Sequence, residues 1–180
     1  AFLAVTIAFA YAIPNVQIRT IFNDLLPRDD PFVQVFFDHR NFGNPLTMSI
    51  MVKVKQGDIY NAQTLAKVWD LTRGIDLAPG ANHDQLVSIT TEKLRYAIAN
   101  AKGMDTKPLM RDWPPTTEAE LAEFRRNVDR SVYAHSFFIS GDETATLIKA
   151  GFHDSIDYGE AFEFAQRLVE EARDANHEVY

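Results

Sequence analysis

The chain has 180 residues, of which 46% are hydrophobic and 24% charged, so it can bury a core and does not have the composition of a disordered segment. Its formal net charge of −7 argues against a general attraction to phosphate backbones, and we therefore expect no nucleic-acid partner. The chain contains no cysteine, which excludes disulfides, thiolate metal sites and cysteine nucleophiles.

An uncharged apolar run, residues 1–13, precedes Pro14. As a helix it covers about 20 Å, which is short of the roughly 30 Å hydrocarbon core of a bilayer. We therefore interpret residues 1–13 as the C-terminal part of a transmembrane helix, with Tyr11 near the water interface. Two alternatives stay open, because small residues at every second position are typical of a signal-peptide remnant and short apolar runs also form buried core helices.

The next pattern in the chain predicts a short strand and then a helix. Residues 15–18 alternate polar with apolar side chains, as strands do. Asp30 is a candidate N-cap for a helix with Pro31 at its first position and its end at residues 43–45. We expect this helix to pack on something large through a broad apolar face. The residues of that face are Phe32, Val33, Val35, Phe36, Phe37 and Phe42.

A strand, a helix and a second strand follow. Residues 46–55 alternate well enough for a half-buried strand, and residues 56–58 are its turn. Asn61 is the expected cap of a helix, and Gly74 either closes that helix or begins its exit. Residues 85–90 predict a second strand, parallel to the first because a helix lies between them. The predicted inward face of the helix contains Leu65, Val68, Trp69 and Thr72.

The middle of the chain is more irregular. Residues 94–99 predict a short strand, and residues 107–115 predict a loop. Thr117 and Glu120 have the spacing of a capping box, which predicts a helix to about Val128.

The last third repeats the alternation of strands and a helix. Strands are predicted at residues 137–140 and 144–152, on either side of a turn at residues 141–142. A helix is predicted over residues 158–175, and residues 177–180 then begin another strand, which we expect to continue beyond the chain. The inward face of the helix is expected to contain Phe162, Ala165, Leu168, Val169 and Ala172.

This order of elements predicts an α+β fold. We expect mixed sheets with split βαβ, ferredoxin-like subdomains and with the helices on one side. No low-complexity linker interrupts residues 14–180, which we therefore treat as one body.

Side chains with catalytic potential do not form a recognisable pattern. None of the five histidines stands three or four residues from another, and no nucleophile elbow or phosphate-binding loop is present. The neighbours in the pairs His83-Asp84 and His153-Asp154 point to opposite faces of an extended chain. Helix capping explains Asp30, and a solvated helix face explains residues 170–171. We expect no enzymatic activity, no catalytic residues, no cofactor and no metal.

Phenylalanine is abundant, with 13 residues that include the pairs Phe36-Phe37 and Phe137-Phe138. Most are expected in the core, because large apolar side chains are usually buried. A minority is expected to line a groove for an apolar ligand, although the sequence does not identify which.

Several short segments resemble one family. Phe22-Asn23-Asp24-Leu25-Leu26-Pro27, followed by Asp29-Asp30-Pro31, resembles the segment after the first transmembrane helix in the MMPL-like, hydrophobe-exporting branch of the RND transporter superfamily. Further segments resemble that branch in the same order along the chain. They are residues 55–60, 79–85, 108–110 with the prolines at 114–115, 157–160 and 173–178.

The resemblance implies a function in transport. Residues 14–180 would be the periplasmic porter domain of a proton-driven exporter of lipids or other hydrophobic compounds in the bacterial inner membrane. The membrane and a hydrophobic cargo would be its partners, a homo-oligomer stays open, and the proton-coupling residues would lie outside this chain. The alternative is a membrane-anchored or secreted periplasmic binding or assembly domain without transport activity.

Overall fold

The computed structural model describes Thr6, Pro27 and residues 29–38, 46–153 and 158–180. The chain forms two compact units, Ala1–Pro45 and Leu46–Tyr180. No helix among the described residues is long and apolar enough to cross a membrane. The predicted transmembrane segment at residues 1–13 lies outside the described part except for Thr6, and the predicted strand at residues 15–18 lies wholly outside it.

The described part of the first unit contains helix α1, Pro31–Asp38. Its start is as predicted, because the backbone N–H of Val33 donates to Asp30 Oδ1 at 3.4 Å. Val33 is buried, but Val35 is 56% exposed, so its expected place on the inward face is wrong. A residue two positions from Val33 is turned about 200° around a helix, which puts it on the opposite side. The remaining residues of the predicted face, including Phe42, are phenylalanines. Their side chains lie outside the described part.

The second unit contains two sheets and four helices within its described residues. In chain order the elements are β1 (Thr47–Val54), α2 (Ala62–Asp76), β2 (Ala81–Val87), β3 (Arg95–Asn100), β4 (Gly103–Pro108), α3 (Glu118–Arg130), α4 (Val132–Phe138), β5 (Ala145–Phe152), α5 (Tyr158–Ala172) and β6 (His177–Val179). Four strands form a sheet of order β2-β5-β1-β6, and β3 pairs with β4.

Each of these strand pairings is antiparallel. The α+β class is therefore confirmed, whereas the predicted mixed sheet is wrong. β1 and β2 do run in the same direction, but β5 lies between them and pairs with both. A sequence pattern indicates that a helix crosses between two strands, but not whether a later strand enters the gap.

The core follows from the alternation predicted for the central strands. Ile50, Val52 and Val54 of β1 are buried, and Ile50 lies opposite the buried Ile148 of β5. The apolar face of α2 packs into the same cluster through Leu65, Val68 and Ile75. Burying such side chains stabilises the fold by about 1.5–3 kcal/mol each.

Helix α2 begins as predicted but continues past Gly74. The backbone N–H of Thr64 donates to the Asn61 cap at 2.8 Å, and the helix ends at Asp76. A Cβ atom on Gly74 would lie 2.7 Å from Leu168 Cδ1 of α5. Gly74 therefore permits a close approach of the two helices and does not end α2.

Helix α5 presents a slightly different face from the predicted one. Ala161 and Ala165 are buried, and Leu168, seven residues after Ala161, packs against the core. Phe162 is 55% exposed, so its inward placement was wrong. It lies one position from Ala161, which rotates it about 100° away from this face.

Three other elements differ from their predictions. β2 covers Ala81–Val87 instead of residues 85–90, with a register shift in its pairing to β5. The loop predicted at residues 107–115 begins after β4, a strand that the sequence did not reveal because it is polar and largely exposed. Helix α4 replaces the strand predicted at residues 137–140, and in that stretch Ile139 makes an isolated bridge to Thr146.

Candidate functional site

A surface cavity of about 270 Å³ lies where the β3–β4 hairpin meets α3 and the segment between them. This cavity, the hairpin groove, approaches the volume of about 300 Å³ at which small-molecule pockets begin. Its lining residues are Tyr96, Lys107, Pro108, Leu109, Met110, Arg111, Trp113, Pro115, Glu120, Glu123, Phe124 and Asn127.

The hairpin provides one wall of the groove. Tyr96 of β3 pairs with Lys107 of β4, so both strands contribute to the lining near the open end of the hairpin. At the closed end Gly103 has φ +135°, a conformation that few other residues adopt. The backbone N–H of Leu109 donates to Leu94 O at 3.2 Å and extends the pairing beyond β4.

The base of the groove is fixed by buried groups. Leu109 is fully buried and Phe124 of α3 is 2% exposed. The side-chain amide of Asn127 donates to Leu109 O at 2.9 Å, and the hydroxyl of Ser131 donates to Arg95 O at 2.8 Å. Asn127 and Ser131 are both buried, so each hydrogen bond is protected from water and ties α3 or its C-terminal end to the hairpin region.

Helix α3 begins at the groove with the predicted capping box. Glu120 accepts hydrogen bonds from the backbone N–H groups of Thr116 and Thr117, both at 3.0 Å. These bonds lower the pKa of Glu120 to about 2, so its carboxylate is ionised at neutral pH. Glu120 thus places a fixed negative charge in the lining, which also contains Lys107 and Arg111.

Trp113 supplies exposed apolar surface. Its side chain is 75% exposed, while the neighbouring Met110 is half-buried and Leu109 lies beneath. Apolar walls with a few charged groups are the usual construction of a pocket for an amphiphilic molecule. This arrangement can hold an apolar chain and pair a polar end with a charged side chain.

The phenylalanine pairs do not provide this surface in the described part of the chain. Phe138 is 1% exposed and belongs to the core, whereas Phe137 is 59% exposed but does not line the groove. Phe124 is the phenylalanine in the lining. The sequence offered one signal that went unused, the position of Trp113 in a proline-rich segment after Met110.

The other polar residues considered in the sequence have separate environments. His83 Nδ1 lies 2.9 Å from Asp76 Oδ2, so its acidic partner is Asp76 and not the adjacent Asp84. His153 is exposed, but Asp154 lies outside the described residues. His177 is buried at the start of β6, in the strand predicted from this residue onward. Glu170 and Glu171 are exposed on α5, as a solvated helix face requires.

Neither a protein-family model nor a curated protein sequence matches this chain.

Proposed function

We propose that residues 14–180 are the periplasmic porter domain of an RND-type, MMPL-like exporter of lipids or other hydrophobic compounds, and that residues 1–13 end a transmembrane helix. In this proposal the hairpin groove receives the apolar cargo. The observation that carries the assignment of the cargo site is the groove itself, with exposed Trp113 above a buried apolar base. The family assignment rests on the ordered segments that resemble that branch.

The topology of the four-stranded sheet also supports the proposal. β1–α2–β2 and β5–α5–β6 are two strand–helix–strand units, and the order β2-β5-β1-β6 interleaves them. We assign this sheet to the split βαβ, ferredoxin-like arrangement expected for porter subdomains. The segment between these two strand–helix–strand units is then an insertion, which contains β3, β4, α3 and α4. The groove belongs to this insertion.

A cargo site in a porter domain works only if its affinity differs between two conformations. The groove combines a base held by Asn127 with an exposed side chain, Trp113. In this proposal Trp113 closes over the ligand. Movement at this rim would change the apolar contact area without disturbing the core. The membrane part of the exporter would supply the energy for that change.

The test is export of a hydrophobic dye, N-phenyl-1-naphthylamine, from cells that express the complete gene encoding this chain. Wild type is compared with Trp113→Ser and with a control, Phe162→Ser, which also removes an exposed aromatic side chain but lies outside the groove. Loss of one aromatic contact of about 1 kcal/mol corresponds to roughly fivefold weaker binding. We therefore expect slower export at limiting dye with Trp113→Ser only.

Equal export by both variants at wild-type membrane abundance would contradict the cargo site. If the gene confers no export at all, while the chain still binds the dye through Trp113, the alternative of an anchored or secreted binding domain becomes the better assignment.

A further inference from the structure

Three side chains with metal-binding chemistry meet on the face formed by α3, α4 and the turn before β5. Asp129, His135 and Glu143 each offer a ligand atom, and these atoms all lie within 4.8 Å of one another. Ligands at about 2.0–2.2 Å from one zinc ion lie no more than about 4.4 Å apart. A small rotation of these side chains is therefore enough to place them around one ion.

The backbone holds all three residues in place. Ser131 separates α3 from α4 and caps the second helix, and its carbonyl accepts from the backbone N–H of His135 at 3.0 Å. Glu143 has φ +58°, and its backbone is held on both sides, because its N–H donates to Ser140 O at 2.9 Å and its C=O accepts from Ile59 N–H at 3.0 Å. This three-ligand cluster is thus set by local structure, although its residues are spread over 15 positions.

The charge around the cluster favours a cation. Arg125 pairs with Glu143 and also with Asp58, whose Oδ2 lies 3.2 Å from Arg125 Nη1. Asp129 adds a third carboxylate beside Glu143, so this face carries three carboxylates against the one guanidinium of Arg125. Glu143 keeps a second carboxylate oxygen for an ion.

The buried side chain beneath Arg125, the partner of Glu143, provides an independent indication. Tyr60 is 8% exposed, and its hydroxyl has no hydrogen-bond partner in the described part of the chain. The Arg125 guanidinium lies over the Tyr60 ring, 4.7 Å from its centroid. Burial raises the pKa of Tyr60, so its hydroxyl is protonated at neutral pH. Such a group is a ready donor to a metal-bound water.

We propose that Asp129, His135 and Glu143 bind one divalent ion of the zinc class, with water completing its coordination. One imidazole and two carboxylates are a ligand set that zinc accepts, and three protein ligands leave a position for water. This assignment is independent of the proposed transport function.

The test is calorimetric titration of the metal-free full chain with Zn²⁺. We expect one ion per chain in wild type, and at least about a tenfold loss of affinity in His135→Ala and in Asp129→Asn. Both residues are exposed, so the variants should keep the wild-type circular dichroism spectrum. The control is His83→Ala, which removes a histidine paired with a single carboxylate, Asp76, and should leave the affinity unchanged.

Failure of wild type to bind Zn²⁺ below millimolar concentration would overturn the proposal. Unchanged affinity in both His135→Ala and Asp129→Asn would also overturn it, because the ion would then occupy another site. If one of the two variants unfolds, the other decides the result.

Discussion

His177 Nδ1 lies 2.9 Å from Asp174 Oδ1, and the other ring nitrogen of His177 lies 2.9 Å from the hydroxyl of Thr64. His177 is 2% exposed and Thr64 is fully buried. One imidazole therefore connects β6 to the loop before it and to helix α2. This buried polar contact positions the edge strand of the four-stranded sheet against helix α2.

Replacing His177 by alanine should destabilise the chain by about 1–3 kcal/mol, because the buried Thr64 hydroxyl loses its partner and the Asp174 carboxylate loses one of its several donors. Urea unfolding of the full chain measures the change in the free energy of unfolding. The control, His153→Ala, removes an exposed ring and should stay within about 0.5 kcal/mol of wild type. Equal stability of the two variants would contradict the role assigned to His177.

Asp174 should make stability sensitive to acid. Burial, the largest single influence, acts to raise the pKa of Asp174, but hydrogen bonds from Asn176, His177 and Lys67 together hold it well below its ordinary value of 3.8. A carboxyl whose pKa is depressed in the folded state stabilises that state above the unfolded pKa, and this contribution is lost as the pH falls toward the folded pKa.

The melting temperature of wild type should therefore exceed that of Asp174→Asn by a constant amount above about pH 5, and the difference should shrink below about pH 4. Thermal unfolding followed by circular dichroism at stepped pH measures this difference. A gap that stays constant down to about pH 2 would show that ionisation of Asp174 does not stabilise the fold.

The close approach of the Gln85 side chain to Gly151 predicts a sensitive glycine. A Cβ atom on Gly151 of β5 would lie 2.6 Å from Gln85 Cβ of β2, whereas one on Gly141 would meet nothing within 4 Å. Gly151→Ala should cost about 1–3 kcal/mol because the strands must separate. Gly141→Ala is the matched control and should be near neutral in chemical unfolding. A neutral Gly151→Ala would mean that β2 can shift at its register irregularity without loss.

The capping box should contribute measurably to α3. The hydroxyl of Thr117 accepts from the backbone N–H of Glu120, so Thr117→Ala should cost about 1 kcal/mol of unfolding free energy. Thr116→Ala retains the backbone N–H that donates to Glu120 and should change stability by less than about 0.5 kcal/mol. Equal losses in the two variants would contradict the specific role of the Thr117 hydroxyl.

The features predicted correctly from sequence depend on neighbours in the chain. The side chain of Asn61 accepts from the backbone N–H three positions later, and the side chain of Thr117 does the same. The alternation around Ile50 encodes a half-buried strand within ten residues. A capping side chain needs only its own helix, so its spacing is sufficient information. The same holds for the turn at Gly57, where φ is +81°.

The remaining features depend on contacts between distant segments. β4 is polar and exposed, so its sequence lacks the apolar alternation that indicates a strand. It is a strand because it pairs with β3. The base of the groove requires Leu109 to meet Asn127, and the buried position of His177 requires Thr64, 113 residues away. Such contacts arise only when the sheet and helices have assembled.

The measurement that most directly tests an apolar cargo in the hairpin groove is tryptophan quenching by a brominated fatty acid. Trp69→Phe leaves Trp113 in the groove as the single tryptophan, and Trp113→Phe leaves Trp69, which lies on α2 under Arg73. We expect saturable quenching of the chain that retains Trp113 and little quenching of the chain that retains Trp69. Equal quenching of both chains, or no saturable quenching of Trp113, would contradict an apolar ligand in this groove.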